Sequence, residues 1–235
     1  MRKMGKQSGI SQETLKWIAC VTMLIDHIGV VLVPGMALRI IGRVAFPIFC
    51  FLLAEGVHYT RSPKRYALRL ALGALLSELP YDLVIAGFPT WYFQSVMLTL
   101  LLGFFALELT KKCSAVLLKI LAVVPFALLA EWMGTDYGGS GVAMIALFGL
   151  TRDLPNKNPI QTLGMAVLCC IMPGASLQLG PLIRIPVELF AVAAMIPISL
   201  YSGRKVSGSK GLQWGFYLFY PLHLTVLYFI GRIYG

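Results

Sequence analysis

Long apolar segments joined by short polar connections fill this 235-residue sequence, and they restrict its fold more than any other feature. Several segments reach the roughly 20 residues that a helix needs to cross the hydrocarbon core of a bilayer. Backbone groups find no water at that depth, so such segments satisfy their own hydrogen bonds as helices. The sequence therefore predicts an all-α fold, a polytopic transmembrane helix bundle of about nine segments, at roughly 15–33, 38–58, 66–86, 95–110, 115–132, 140–150, 159–172, 181–200 and 212–232.

The composition agrees with a membrane protein and leaves no room for a separate soluble domain. Hydrophobic residues make up 58% of the chain and charged residues 13%, about half the charged share of a soluble domain. We therefore expect a basic cytoplasmic segment at 1–14 and a single transmembrane domain at 15–235. Segments 140–150 and 159–172 are short, and the sequence leaves open whether they span the membrane fully.

Lysines and arginines lie in alternate connections, and this alternation predicts an orientation. Connections rich in Lys and Arg face the cytoplasm, so the pattern places the N-terminus in the cytoplasm and the C-terminus outside. The net charge of +10 is spread over loops and is not gathered on one face of a nucleic-acid-binding module, so we expect no nucleic-acid partner. The basic connections are 1–14, 59–65, 111–114, 151–158 and 201–211.

The five cysteines give no sign of a disulfide framework or a zinc site. Most of them lie inside apolar segments, and no Cys-x-x-Cys spacing occurs. An odd number of cysteines without ligand spacing argues against both kinds of site. We therefore expect no metal.

An acid–histidine pair, Asp26-His27, stands inside the first apolar segment. Ionisable groups at membrane depth are costly and usually carry function. A neutral imidazole can remove a proton from an amine or hydroxyl nucleophile, and a nearby carboxylate can orient the ring. Asp26 points about 100° away from His27 on a helix, so a carboxylate from another helix is an equal candidate for that role. His223, in the last segment, either joins this chemistry or only bonds across helices.

Other ionisable residues also lie within the apolar segments. Three pairs have a spacing of four, which places both members on one helix face. Arg184 and Glu188 are most simply an ion pair within one helix. Glu78 and Asp82 either cap a helix end or pair with Arg39 and Arg43. Arg39 alternatively extends to the outer interface, and the deeper Arg43 binds a carboxylate or an anionic ligand. The remaining candidates are Arg39 with Arg43, Glu78 with Asp82, and Glu55 alone.

Six stretches, spread over nearly the whole chain, resemble the TraX family in their order and residues. Two of them contain the histidines discussed above, MLIDHIG at 23–29 and FYLFYPLHL at 216–224. The others are RIIGRVAFPIF at 39–49, LAEG at 53–56, SELPYD at 77–82 and DYG at 136–138.

The resemblance implies a bacterial cytoplasmic (inner) membrane protein with several spans that uses acetyl-CoA as acyl donor. The named member of the family N-acetylates the pilin of a conjugative pilus. Related membrane acyltransferases use a histidine of the first span, which is His27 here. The acceptor stays open between a peptide N-terminus, an envelope glycan and a lipid. The implied catalytic residues are His27 and Asp26, and the implied binding residues are Arg43, Arg39, Glu55, Glu78, Asp82, Asp136, Tyr220 and His223.

Two other classes of function fit intramembrane charges. A small solute transporter or proton-coupled carrier also uses Asp, Glu, His and Arg along its pathway, but it would favour an internal repeat, and none is evident. A non-catalytic assembly partner of a pilus or secretion machine would tolerate replacement of His27 and His223. The expected function is an acetyltransferase with His27 as general base.

Overall fold

The structure is a computed structural model that describes residues 9–178, 183–203 and 210–234. Predictions about the basic residues Arg2, Lys3, Lys6, Arg204 and Lys205 lie outside the described residues. The described α-helices are α1 (Gln12–Val31), α2 (Met36–Gly42), α3 (Ala45–Tyr59), α4 (Pro63–Ile85), α5 (Val96–Thr110), α6 (Val116–Trp132), α7 (Gly138–Leu150), α8 (Lys157–Ile171), α9 (Met195–Ser199) and α10 (Lys210–Tyr234).

The predicted helical fold is confirmed, because helices dominate the described residues and follow the apolar segments. Local sequence sets several of their starts. The Ser11 hydroxyl accepts a hydrogen bond from the backbone N–H of Thr14 (3.1 Å) and caps α1. Pro63 opens α4, where its fixed backbone angle suits the first helical position.

Three helical stretches are long and apolar enough to cross a membrane, among the residues that the structure describes. They are Gln12–Val31, Met36–Tyr59 and Trp214–Tyr234. The second of them comprises α2 and α3, which a turn at Arg43 and Val44 separates. The nine-span arrangement and the orientation of the termini stay predictions.

The predicted helix at 181–200 is wrong for its first part, and the fold is therefore not purely α-helical. Strands β1 (Ser176–Gln178) and β2 (Arg184–Pro186) pair antiparallel, and a 3₁₀ helix, Val187–Ala194, follows and leads into α9. Pro186 explains the change, since proline pushes the residue before it towards extended backbone. The longer rise of a 3₁₀ helix lets 187–199 extend over about 23 Å.

The helices pack around one main core, in which most of α3 is buried. α1 contacts α2, α3 and α10, while α10 also packs on α4. Leu15, Ile48, Phe104 and Met144 are fully buried in this core and come from α1, α3, α5 and α7. A second, smaller core of mostly small side chains joins α5, α6 and α7. The packing brings the first and last helices of the chain side by side.

Connections that the charge pattern assigns to one side of the membrane contact each other. At one end, the Arg152 guanidinium of the connection 151–158 donates to the Tyr59 hydroxyl of the connection 59–65 (2.8 Å). At the other end, the backbone N–H of Gln94 donates to the Gly134 carbonyl (3.1 Å). Each contact joins two connections of the same predicted side.

Single cysteines in a cysteine-free background test the orientation. With Trp91→Cys, a membrane-impermeant maleimide should label intact cells, because Trp91 is exposed in a connection predicted to lie outside. With Lys112→Cys, labelling should require permeabilised membranes. The reverse pattern, or equal labelling at both positions in intact cells, would contradict the predicted orientation.

Candidate active site

His27 and His223 face each other across the contact between α1 and α10. The Nδ1 of His27 lies 3.1 Å from the Nε2 of His223. Each ring also binds the carbonyl one turn earlier on its own helix, His27 through Nδ1 to Met23 (2.9 Å) and His223 through Nδ1 to Phe219 (2.7 Å). The structure thus joins two histidines that the sequence places 196 positions apart.

These three contacts determine which ring nitrogens carry protons. A carbonyl oxygen only accepts hydrogen bonds, so Nδ1 of both rings must carry a proton. The Nε2 of His223 then has a free lone pair. The Nδ1–H of His27 donates to this lone pair and also to the Met23 carbonyl, as a bifurcated hydrogen bond. In the neutral ring, the Nε2 of His27 is therefore the unprotonated nitrogen, and no hydrogen bond to it occurs within the described residues. This nitrogen is therefore available as a base.

Aromatic side chains surround the pair and restrict both rings. The Phe219 ring stacks on His223 with a centroid distance of 5.0 Å. The Tyr220 ring meets His27 edge-on at 6.1 Å and His223 at 5.6 Å. The Tyr220 hydroxyl is buried and has no hydrogen-bond partner within the described part of the chain. It is a polar group next to the histidines that a ligand can satisfy.

A second cluster, beside the histidines, consists of two arginines and two carboxylates. The buried Arg43 donates to both oxygens of Asp26 (2.8 and 2.9 Å) and to Glu188 (2.9 Å). Arg39 donates to Asp26 as well (3.0 Å), and its side chain is 37% exposed. The cluster ties α1 and the α2–α3 turn to the 3₁₀ helix.

Glu188 is a site residue that the sequence interpretation assigned to a different partner. The predicted pair of Arg184 with Glu188 is wrong, because Arg184 lies in β2 and is exposed, whereas Glu188 lies in the 3₁₀ helix and binds Arg43. Residues four apart share a face only on an α-helix, and the backbone from Arg184 to Glu188 is not α-helical. The sequence signal for this pairing was the position of Arg43 within an apolar segment, because a buried guanidinium needs more than one acceptor.

Asp26 orients arginines in this structure and does not bond to His27. Adjacent residues on a helix point in different directions, and Asp26 points towards α2 while His27 points towards α10. The partner of the His27 ring is His223. Of the candidate residues, the structure therefore groups Asp26, Arg39 and Arg43 in one cluster, and His27, Tyr220 and His223 in the other.

The loop at Asp136 and Tyr137 reaches the arginine cluster. Tyr137 stacks on Phe46 at 3.7 Å, and its ring lies 6.0 Å from the Arg43 guanidinium. Its φ of 65° is the only positive value of a non-glycine residue within the described ranges, a strained conformation of the kind found at functional sites. Burial raises the pKa of Asp136 to about 6, although Arg43 acts in the opposite direction. Below that pH a negative charge near Arg43 is lost.

The remaining predicted binding residues make structural contacts elsewhere. Glu78 accepts hydrogen bonds from the backbone N–H (3.2 Å) and hydroxyl (2.7 Å) of Ser95, at the start of α5. Asp82 accepts one from the backbone N–H of Thr90 (2.9 Å). Glu55 pairs with Arg152 at the opposite end of the bundle. Within the described residues, no three His, Cys, Asp or Glu side chains are grouped so as to hold a metal.

The comparisons with known proteins identify the family. The profile described as "TraX protein" matches residues 11–231. The chain belongs to the TraX family. This membership and the three long apolar helices indicate a protein associated with a membrane.

Two relatives of this TraX-family chain differ in how much of it they share. The probable fimbrial assembly protein FimC, serogroup H1, of Dichelobacter nodosus is 25% identical over 95% of this chain and 97% of its own length. The uncharacterized protein RP591 of Rickettsia prowazekii (strain Madrid E) is 46% identical over 54 residues, which are 23% of this chain and 21% of its own. No solved structure matches this chain.

Replacing Gly42 by alanine should break the arginine cluster. A Cβ at this position would overlap the Asp26 side chain, so Asp26 must leave Arg43 or α2 must move away from α1. Overpacking of this kind costs about 1–3 kcal/mol. We expect a clearly lower Tm for the detergent-purified variant. The matched control is Gly215→Ala in α10, where the space is open. Equal Tm values for the two variants would show that the cluster does not hold these helices together.

Proposed function

We propose that this protein is an integral membrane acetyltransferase, which moves an acetyl group from cytoplasmic acetyl-CoA to an amine or hydroxyl acceptor at or across the membrane. The observation that carries the proposal is the His27–His223 pair, because it leaves the Nε2 of His27 unprotonated. A base of this kind is what acyl transfer to a protonated nucleophile requires. Membership of the TraX family, whose named member N-acetylates a pilin, supports acetyl-CoA as the donor and acetyl transfer as the reaction class.

In the proposed reaction, the Nε2 of His27 takes the proton of the acceptor while the acceptor attacks the acetyl carbonyl. The C–S bond of the thioester then breaks, and the proton on His27 passes to the departing thiolate of coenzyme A. His223 stabilises the intermediate imidazolium by accepting the Nδ1–H of His27. Direct attack of the same nitrogen on the thioester, giving an acetyl-histidine, uses the same geometry.

The arginine cluster holds α1, the helix that carries His27, in position. Asp26 and Glu188 together balance the charges of Arg43 and Arg39, so the cluster supports the position of α1 without a net charge. Arg39 has a partly exposed guanidinium, and we assign to it contact with an anionic group of the donor or acceptor. Asp26 is then a residue that positions α1 and does not touch the substrates.

The proposed setting is the bacterial cytoplasmic membrane, with nine spans and a cytoplasmic N-terminus. Acetyl-CoA would enter from the side of the basic connections, where Lys and Arg meet its phosphates. The acceptor, which is a peptide N-terminus, an envelope glycan or a lipid, would approach from the other side or from within the membrane. Lipids would surround the apolar outer faces of the helices.

A second candidate function is non-catalytic assembly of a fimbria or pilus. The printed name of the Dichelobacter nodosus relative, a probable fimbrial assembly protein, favours it. The two candidates differ in their dependence on the histidines. An assembly partner keeps its function when His27 is replaced, whereas the acetyltransferase loses it.

Replacing His27 by alanine tests the proposed function. The purified variant should release coenzyme A from acetyl-CoA about 10²–10⁴ times more slowly than the wild type, which is the usual contribution of a general base. The matched control is His58→Ala, because His58 is exposed at the end of α3 and contacts neither histidine of the pair. Release would be followed with a thiol reagent. Equal rates for His27→Ala and wild type would refute the mechanism.

His223 is predicted to act through His27, and two variants separate this from a packing role. His223→Leu removes the lone pair that accepts the His27 proton, so kcat should fall about ten- to a hundredfold with little change in KM. His223→Gln offers an amide oxygen near the position of Nε2 and should recover part of the loss. If both variants lose activity equally, His223 serves packing alone.

A further inference from the structure

A groove opens near the start of α1, away from the arginine cluster. It encloses about 310 Å³ and lies between the N-terminal parts of α1, α4 and α10, with the middle and end of α3 and the start of α5 as its floor. We call it the α4–α10 groove and define it by six of its residues, Lys16, Leu53, Tyr66, Arg69, Phe216 and Tyr217. Gln12, Tyr59 and Thr60 also line it, so it lies at the predicted cytoplasmic end of the bundle.

Two cations stand in the wall of this groove, and each lies over an aromatic ring. The Arg69 guanidinium lies 5.6 Å from the centre of the Tyr66 ring and 5.8 Å from that of Tyr217. The Lys16 ammonium lies 5.0 Å from the centre of the Phe216 ring. Such contacts hold a cation in place.

Arg69 in particular lacks the anionic partner that its position calls for. It lies in the second turn of α4, forms no ion pair with any carboxylate of the described residues, and donates to the Tyr217 hydroxyl. Its Nε is buried and has no hydrogen-bond partner within the described ranges. A buried guanidinium nitrogen without an acceptor is costly. Phosphate matches the guanidinium fork best.

Along α10, the groove lies about two helical turns from the histidine pair. Tyr217 lines the groove, Tyr220 contacts both histidines, and His223 follows. From Phe216 to His223 this helix rises about 10 Å, and from Lys16 to His27 α1 rises about 16 Å. A ligand with phosphates at Arg69 therefore needs a long, narrow arm to bring an acyl group to His27. An acyl phosphate is too short for this path.

We infer that the α4–α10 groove is the donor site and binds the phosphates of a coenzyme A thioester, whose pantetheine arm runs along α10 towards His27. This inference rests on the proposed function and deepens it. Arg69 and Lys16 bind the phosphates, and the rings of Tyr66, Phe216 and Tyr217 hold the two cations in place. The apolar side chains of Leu53, Met97 and Leu100 line the deeper part of the groove.

Binding of coenzyme A to the detergent-purified full chain tests the inference. Arg69→Gln should weaken binding at least about tenfold, since it removes one charge-assisted contact to phosphate. The matched control is Arg65→Gln, one turn earlier on the same helix, because Arg65 is exposed and does not line the groove. The control should change binding by less than about twofold. Pantetheine, which has no phosphate, should bind weakly and equally to all three proteins.

Three results would overturn the inference, and each has a different meaning. If wild type and Arg69→Gln bind coenzyme A equally well, the donor site lies elsewhere and the acetyltransferase proposal stands. If wild type does not bind coenzyme A, the acetyltransferase proposal itself fails. If Arg69→Gln loses binding to phosphatidylglycerol vesicles but not to coenzyme A, the groove is a site for lipid headgroups.

A second measurement on the wild type alone covers the case in which Arg69→Gln does not fold. A photoreactive coenzyme A derivative should crosslink to peptides from the first turns of α4 or α10, and excess coenzyme A should prevent the reaction. Crosslinks that form only in α6 or α8, which do not line the groove, would contradict the inference.

Discussion

The need of a buried guanidinium for anionic partners determines much of this structure. Arg43 is buried where α2 turns into α3, and a charge at such a position is tolerated only with well-placed acceptors. Asp26 from α1 and Glu188 from the 3₁₀ helix meet that need and tie together three parts of the chain that are far apart in sequence. The same contacts turn Asp26 away from His27, so another residue must orient the imidazole.

That residue is His223, and a neutral partner suits its surroundings. A carboxylate beside His27 would bring a further charge into an apolar bundle, whereas an imidazole accepts the Nδ1–H without one. The two carbonyls that fix the tautomers belong to α1 and α10 themselves, so the chemistry of the pair follows from helix geometry and needs no loop. The α4–α10 groove begins on the same two helices and completes the proposed path from donor to base.

The sequence predicted the parts of the fold that depend on local pattern. Apolar length located the helices, and the rarity of ionisable residues in such segments singled out His27. Contacts over long separations were predictable only in part: the sequence offered His223 as a partner in the chemistry of His27, but nothing local indicates that Glu188 binds Arg43. The segment 181–200 was misassigned since its apolar content resembles a helix, while Pro186 imposes a strand followed by a 3₁₀ helix. The sequence around Tyr137 contains the DYG motif, but nothing in it predicted the positive φ of Tyr137.

The protonation of the two ring nitrogens of His27 is the central claim, and nitrogen NMR measures it directly. Protein with ¹⁵N-labelled histidine and the substitution His58→Ala contains only the two histidines of the pair. Near neutral pH, both rings should show a protonated Nδ1 and an unprotonated Nε2, with a coupling or distance that joins His27 Nδ1 to His223 Nε2. A proton on the Nε2 of His27, whether alone or together with Nδ1, would contradict the account.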